Sequence, residues 1–257
     1  MSALKHKGFI AIIMYMYNIS TMKNIYRIAD KIISIESIHQ KVHDYCRDYR
    51  TQNAVPDFYV TISQQDIDIA RSKVKHDYPY SDAYLEEIAV HRKIAERMPS
   101  FSTILMHGSV LAVDGQGYMF TASSGTGKST HARLWRELLG EKVTMINDDK
   151  PFVRISDGYA EVFGTPYNGK HRLGANTSAP LKAICILERS EYNHIARISP
   201  KEAYTMIIQQ TYRPRDTAML VKTLELVDAL MNAVEFYRLG CNMDIQAAEL
   251  AYNAMKG

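Results

Sequence analysis

The feature that most constrains this chain is a glycine-rich stretch at residues 122–129, which reads ASSGTGKS. A phosphate-binding P-loop has the pattern G-x-x-x-x-G-K-[ST], and the stretch meets every fixed position except the first, where Ala122 replaces glycine. Its two glycines allow positive φ, so that backbone N–H groups can converge on phosphate oxygens. Lys128 can then reach the β- and γ-phosphates, and the Ser129 hydroxyl can ligate Mg²⁺.

The segments on either side of this loop fit the same interpretation. Residues 117–122 are short, apolar and β-prone, as expected of a strand that enters the loop. Residues 129–139 have helical spacing, and the N-terminus of that helix would present its positive dipole end to an anion. The alternative is an ordinary glycine turn before a helix. We predict that the nucleotide-binding residues are Ser123, Ser124, Gly125, Thr126, Gly127, Lys128, Ser129 and Thr130.

Composition limits the class of protein. The chain has 257 residues, of which 46% are hydrophobic and 23% charged, as in ordinary globular proteins with a substantial core. The net charge is +3 and the 31 lysines and arginines are scattered, so we expect no nucleic-acid partner. Cys46, Cys185 and Cys241 lack metal-ligand spacing, which is typical of reduced thiols in a cytoplasmic protein.

An apolar run at residues 9–17 follows two lysines and superficially resembles a signal peptide. It is too short to span a bilayer, so we expect no membrane association. We interpret it as a strand or as an extension upstream of the true start, for which Met14, Met16 and Met22 are candidates.

Periodicity predicts an α/β fold with a mixed β-sheet. We expect a smaller α/β segment at residues 1–99 and a P-loop domain at 100–257. Predicted strands cover residues 31–37, 57–63, 103–113, 117–122, 142–147, 151–155, 160–163, 181–188 and 235–239. Predicted helices cover residues 38–50, 64–74, 83–98, 129–139, 200–212, 216–234 and 244–255. The Asp114-Gly115 pair predicts a hairpin between two of the strands.

Three further side chains are candidates for chemistry. Asp148 and Asp149 follow the strand at 142–147, about twenty residues after Lys128, where a carboxylate can bind metal or orient the acceptor of a phosphoryl group. A solvated Asp-Asp turn is the alternative. His107 lies within an apolar strand, where a core histidine is the ordinary interpretation. Trp135, on the predicted helix after the loop, could flank an adenine, but we favour core packing.

These features together resemble the C-terminal catalytic domain of HPr kinase/phosphorylase, a bacterial protein-serine kinase that shares its P-loop arrangement with phosphoenolpyruvate carboxykinases. The resemblance rests on strand-His-Gly, a hairpin, the Ser-Gly-Thr-Gly-Lys-Ser loop and a strand ending in Asp-Asp, and it covers residues 104–155. It implies that Asp148 is the base, that Asp149 helps to hold the metal, and that His107 hydrogen-bonds the acid/base carboxylate. It also implies that Lys128 contributes to catalysis.

The chain departs from that family beyond Ala122. The first hundred residues do not resemble its regulatory domain, and its protein-substrate segment is not found after the Asp pair. In its place is a turn-rich stretch at 164–172, where Lys170 or Arg172 either contacts the γ-phosphate or acceptor, or lies in an ordinary surface loop. The metal set and oxaloacetate-binding arginine of a carboxykinase are not found either.

The sequence therefore predicts an ATP-dependent kinase that uses Mg²⁺ and phosphorylates a hydroxyl group, with GTP left open as the nucleotide. The acceptor could be a serine hydroxyl of a protein or peptide, or the hydroxyl group of a small molecule. The alternative is a nucleotide-binding accessory or regulatory protein without catalytic activity. Because relatives of the kinase family oligomerise, a homo-oligomer is a further expectation.

Overall fold

The computed structural model describes residues 21–74 and 78–257. The apolar run at 9–17 lies outside these residues, as do the candidate starts Met14 and Met16. The described chain forms two compact units, one containing Ile33–Val90 together with the residues up to Tyr26, the other Arg27–Ile32 and His91–Gly257. The division into domains at residues 99 and 100 stays a prediction.

The first unit contains a small three-stranded sheet with helices. Its strands have the order β1-β2-β3, and β2 and β3 are parallel. The strands are β1 (Met22–Ile28), β2 (Lys31–Ser37) and β3 (Phe58–Thr61), and the adjoining ends of β1 and β2 belong to the second unit. The helices are α1 (Gln40–Tyr45), α2 (Gln64–Arg71) and the first part of α3 (Asp82–Arg97). The helix predicted at 38–50 is thus shorter, and a 3₁₀ turn at Arg47–Tyr49 follows it.

The second unit contains a nine-stranded mixed sheet, as the sequence predicts in general form. Its strands are β4 (Thr103–Leu105), β5 (Ser109–Val113), β6 (Gln116–Thr121), β7 (Val143–Asn147), β8 (Phe152–Ser156), β9 (Tyr159–Phe163), β10 (Ser178–Arg189), β11 (His194–Ile198) and β12 (Glu235–Cys241). Its remaining helices are α4 (Lys128–Leu139), α5 (Pro200–Gln210), α6 (Thr217–Ala233) and α7 (Ile245–Met255).

The long strand β10 organises this sheet. Its first residues pair antiparallel with β9, and the rest of the strand pairs parallel with β6 on one side and with β12 on the other. The strand order β10-β6-β5-β7 then continues through antiparallel neighbours. The hairpin between β5 and β6 turns at Asp114 and Gly115, which both have positive φ, as in a type I′ turn. β7 therefore ends on the same side of the sheet as β6.

Helices cover both faces of the sheet. Alternate side chains of a strand point to opposite faces, so Met119 belongs to one core cluster and its neighbour Phe120 to the other. The first cluster includes residues of α5 and α6, and the second includes residues of α4 and α7. Trp135 is fully buried in the second cluster beside Phe120, which confirms core packing for this residue.

The single strand predicted at 103–113 is wrong, because β4 and β5 are separated by residues 106–108. The backbone there bonds to two distant segments: Met106 N–H donates to Pro151 O and Gly108 N–H to Asp149 O, whereas His107 N–H donates to Gln210 O. This break moves His107 out of the strand. Within the described residues, no helix is long and apolar enough to cross a membrane.

Candidate functional site

The glycine-rich loop connects the end of β6 to the first residue of α4. Gly125 has a φ of +77° and Gly127 a φ of +124°, backbone conformations that side-chain-bearing residues rarely adopt. The strand, loop and helix thus follow one another as the sequence predicts. Ser123, Ser124 and Ser129 are exposed, whereas Thr126 and Thr130 are partly buried.

Ala122, the departure from the loop pattern, has a structural explanation. Its side chain is fully buried in the core cluster that contains Trp135 and Leu134. Ala122 is also not among the residues with positive φ in the part of the chain that the structure describes. No special backbone conformation requires glycine here, so the methyl group adds apolar packing without straining the loop.

Lys128 is buried at the start of α4, and its side chain folds back over the loop. Its Nζ atom donates hydrogen bonds to the carbonyl oxygens of Ala122 at 3.0 Å and Ser123 at 3.3 Å. Burial, followed by the positive charge of Lys150, lowers the pKa of Lys128. The ammonium group therefore lies at the loop, where it can contact an anion bound to the loop's N–H groups.

Asp148 lies just beyond the end of β7 and is almost buried. Its Oδ1 atom accepts a 2.5 Å hydrogen bond from the hydroxyl of Ser109, the first residue of β5. The neighbouring strands β5 and β7 bring these side chains together, with Val110 opposite Asn147 in the register. Ser109 was not a sequence-based candidate, because its partner is distant in sequence.

His107 contacts Asp149 rather than Asp148, which corrects the contact implied by the family resemblance. Its Nε2 atom lies 3.4 Å from Asp149 Oδ1, and its Nδ1 atom is 2.9 Å from Gln210 Oε1. His107 lies in the break between β4 and β5, whereas Ser109, the first residue of β5, lies beside Asp148. Burial and the charges of Lys150 and Lys128 lower the pKa of His107, against the opposing charge of Asp149.

The turn that carries the two carboxylates is fixed by a buried amide. Asn147 Oδ1 accepts hydrogen bonds from the backbone N–H groups of Asp149 and Lys150, and its Nδ2 donates to Thr165. The loop after β9 also packs directly against this turn, since a Cβ added to Gly169 would lie 2.8 Å from the Asp148 carbonyl oxygen. The loop after β9 therefore contacts this turn at two positions, Thr165 and Gly169.

A cleft of about 360 Å³ lies on one side of α4, and we call it the Asp148 cleft. It is bounded by α4, by the end of β7 and by the loop after β9. Its lining includes Ser129, Arg133, Arg136, Asp148, His171 and Leu173. The cleft thus brings together three residues predicted from the sequence, Ser129, Thr130 and Asp148. His171 lines it, whereas Lys170 and Arg172, the two cations considered from the sequence, are exposed and not part of its lining.

A second cavity of about 520 Å³ lies beside the glycine-rich loop, and we call it the His131 cavity. Its lining includes Gly125, Gly127, Thr130, His131, Arg189 and Asn242. Both volumes fall in the range of about 300–1,000 Å³ that is typical of small-molecule sites. Thr130 lines both cavities, so they meet at the first turn of α4.

His131 and Arg189 are residues of this cavity that the sequence analysis missed. His131 is buried, burial lowers its pKa to about 4, and Nε2 accepts a 3.1 Å hydrogen bond from Trp135 Nε1. A neutral imidazole that accepts at Nε2 carries its proton at Nδ1. Arg189, the last residue of β10, donates from Nη2 to Gly125 O at 2.6 Å. Its position at the end of a long, mostly apolar strand is the sequence signal that could have suggested Arg189 as a site residue.

The described residues hold no cluster of three or more His, Cys, Asp or Glu side chains suited to a metal ion. Mg²⁺ in nucleotide sites, however, usually needs only one or two carboxylates in addition to the substrate phosphates. Ser129 and Asp148 fit such a requirement because both line the Asp148 cleft. Asp149 lies 3.1 Å from the Lys150 ammonium, and its role as a metal ligand stays a prediction.

Comparison with protein families identifies the family of the chain. A family model described as "ScmC: SynChlorMet cassette protein ScmC" matches residues 82–223, which is more than half of the chain. The chain belongs to the ScmC family. The part matched to ScmC contains the glycine-rich loop, both carboxylates and the full lining of the Asp148 cleft. The matched part does not contain every residue of the His131 cavity, because Asn242 lies beyond residue 223.

A search among curated proteins finds no match. Among solved structures, the chain is similar to the Hpr(Ser) kinase/phosphatase from Coxiella burnetii at 10% identity, with a TM-score of 0.33. The similarity covers 60% of this ScmC-family chain and 99% of that chain. A likeness at this TM-score carries no argument about fold or activity.

Proposed function

We propose that this ScmC-family protein is an ATP-dependent kinase that transfers the γ-phosphoryl group to a hydroxyl acceptor. The observation that carries the proposal is the shared cleft of Ser129, at the N-terminus of α4, and Asp148, at the end of β7. The glycine-rich loop and Lys128 lie at the same helix terminus. A phosphate site and a carboxylate base are the two parts that phosphoryl transfer to an alcohol needs.

In this proposal the nucleotide phosphates lie on the loop, where backbone N–H groups and Lys128 neutralise their charge. Mg²⁺, held by Ser129 and the phosphates, would supply additional positive charge. The acceptor hydroxyl lies in the Asp148 cleft and gives its proton to the Asp148 carboxylate. Its oxygen forms a bond to the γ-phosphorus as the bond from that phosphorus to the bridging oxygen breaks, which releases ADP.

The His131 cavity is the proposed site of the nucleoside. It adjoins the loop, its lining does not include Asp148, and it has the size of a small-molecule site. The donor and acceptor would then occupy separate cavities that meet at Thr130. This arrangement suits in-line transfer, in which the attacking and leaving oxygens lie on opposite sides of the phosphorus.

The test is transfer of label from γ-labelled ATP, with Mg²⁺, to an extract of the source cell. We expect a labelled species with the wild type, and a loss of about 10²–10⁴-fold in Asp148→Asn, the range for removal of a general base. Lys128→Ala should lose transfer as well. Asp157→Asn is the matched control, since it makes the same chemical change in the exposed turn between β8 and β9.

Wild-type transfer by Asp148→Asn would overturn the proposed base. A protein that binds nucleotide but labels no species under any acceptor condition would instead be an accessory or regulatory nucleotide-binding protein. Parallel titrations with ATP and GTP determine which base is preferred and show whether Lys128→Ala has lost nucleotide binding itself.

A further inference from the structure

The charges that line the Asp148 cleft are unevenly distributed. Arg133 and Arg136 lie one helical turn apart on α4, His171 lines the cleft from the loop after β9, and Asp148 is the single acidic residue in the lining. Arg133 forms an ion pair with Glu137. Arg136 is exposed and has no carboxylate partner among residues 21–74 and 78–257. The cleft therefore offers an unneutralised guanidinium to whatever occupies it.

The helix sets the axial spacing between Ser129 and the two arginines. Ser129 is at the start of α4, and Arg133 and Arg136 follow it by four and seven residues. At 1.5 Å per residue, the two arginines lie about 6 and about 10 Å along the axis from Ser129. Met145 and Leu173 provide apolar surface in the same cleft.

We infer that the Asp148 cleft binds an alcohol that carries an anionic group about 6–10 Å from its hydroxyl, with Arg136 as the residue that recognises the anion. This inference rests on the proposed function, because that function places the hydroxyl at Asp148. The negative charge of Asp148 favours the same orientation, since it repels the anion from the base and Arg136 attracts it. Guanidinium groups suit carboxylates and phosphates because they can donate two parallel hydrogen bonds.

Two sources share this chemistry. In an extended peptide a residue spans about 3.3 Å, so acidic side chains two or three residues from a serine would meet the arginines. A small hydroxy acid of similar length would do so as well. The experiment therefore uses two matched pairs: a serine peptide with glutamates at these positions and its lysine counterpart, and ω-hydroxyhexanoate with hexanediol as its uncharged counterpart.

Equilibrium binding is measured at low ionic strength, with a non-hydrolysable ATP analogue present, for wild type, Arg136→Glu and Arg136→Gln. We expect the wild type to prefer the anionic member of at least one pair, and Arg136→Glu to weaken its binding at least fivefold. For the peptide pair, Arg136→Glu should also bind the lysine peptide more tightly. Arg213→Glu is the matched control, because Arg213 is exposed and not part of the cleft lining.

Equal binding within both pairs would overturn the inference, as would an anion preference that survives in both Arg136 variants. Because binding is measured without turnover, it is independent of the kinase test. An Arg136-dependent preference without phosphoryl transfer supports the anion site and contradicts the kinase. Transfer without any such preference supports the kinase and contradicts the anion site. The pair that shows the preference identifies the source as peptide or small molecule.

Discussion

The Ser109 hydroxyl donates a 2.5 Å hydrogen bond to Asp148 Oδ1, and both side chains are buried. A buried carboxylate is costly unless it is hydrogen-bonded, and a hydrogen bond to a charged group contributes about 1.5–3 kcal/mol. Ser109 therefore provides a hydrogen-bond partner for a buried oxygen of the residue that we propose as the base. It also fixes the direction in which that carboxylate points.

A double-mutant cycle tests this pairing. Ser109→Ala and Asp148→Asn should each lower the free energy of unfolding, and the double variant should lose about 1–2 kcal/mol less than the sum of the two. Urea unfolding provides the measurement. The cycle of Ser109→Ala with Asp149→Asn is the control and should be additive. Additivity in both cycles would contradict the proposed support of Asp148 by Ser109.

Gly169 is expected to be sensitive because of its position against Asp148. Its φ is +75°, and an added Cβ would lie 2.8 Å from the Asp148 carbonyl oxygen. Gly158, with a φ of +76°, has no atom within 4 Å of such a Cβ. Both alanine variants incur the left-handed strain of about 1–2 kcal/mol. Gly169→Ala should lower the free energy of unfolding by at least about 1 kcal/mol more than Gly158→Ala does, because the new methyl group or the Asp148 backbone must shift by several tenths of an ångström. Urea unfolding measures both values.

Label transfer by the same two variants tests the position of Asp148. Gly169→Ala should transfer label more slowly because the backbone of the proposed base is displaced, whereas Gly158→Ala should keep the wild-type rate. Equal stability and equal rates for the two variants would show that the loop after β9 does not hold Asp148 in place.

His131 should make stability depend on pH. Burial lowers its pKa from 6.5 to about 4, so the unfolded state binds more protons than the folded state between these values. Stability is therefore lost as the pH falls from 6.5 towards 4. Between pH 7 and pH 5 the wild type should lose about 2 kcal/mol more than His131→Gln, in which the titrating group is absent.

Urea unfolding of both proteins at the two pH values measures this difference. His91, whose pKa burial lowers to about 3, is present in both proteins, so its contribution cancels. Parallel loss of stability in the two proteins would indicate that His131 is protonated as readily in the folded chain as in the unfolded one.

Arg189 should support nucleotide binding through the loop. Its guanidinium binds the Gly125 carbonyl oxygen at 2.6 Å and lines the His131 cavity. Because the side chain is exposed, its loss should cost on the order of 1 kcal/mol, a roughly fivefold increase in the Kd for ATP. Calorimetric titration of Arg189→Ala measures the change. Arg197→Ala, which removes the Arg197–Glu235 ion pair, is the control, and equal Kd values for both would contradict the role of Arg189.

Local signals in the sequence account for much of this fold. The Asp114-Gly115 turn, the apolar core of β10 and the helical spacing after Lys128 each specify their element from adjacent residues. The break between β4 and β5 could not be read in this way, because residues 106–108 bond to segments distant in the chain. β11 was missed since it is short and mostly exposed, and therefore lacks an alternating apolar pattern.

The same distinction applies to the candidate site. The loop and Asp148 became candidates because each belongs to a pattern of adjacent residues, whereas Ser109 and Arg189 contact groups that are 39 and 64 residues away in the chain. His107 shows the converse limit. Its residue type made it a candidate, but its side chain lies beside Asp149 and Gln210 and not beside Asp148, the partner expected.

Thr130 forms part of the wall of both cavities, so the proposed donor site and the proposed acceptor site meet at this residue. A single compound that joins a nucleotide to an anionic alcohol through a short linker could therefore occupy both at once. Such a compound loses its translational freedom only once, and its second half binds at a high effective concentration. The first turn of α4 is in this sense a template for a bisubstrate inhibitor, whose optimal linker length would measure the distance between the two ligands in solution.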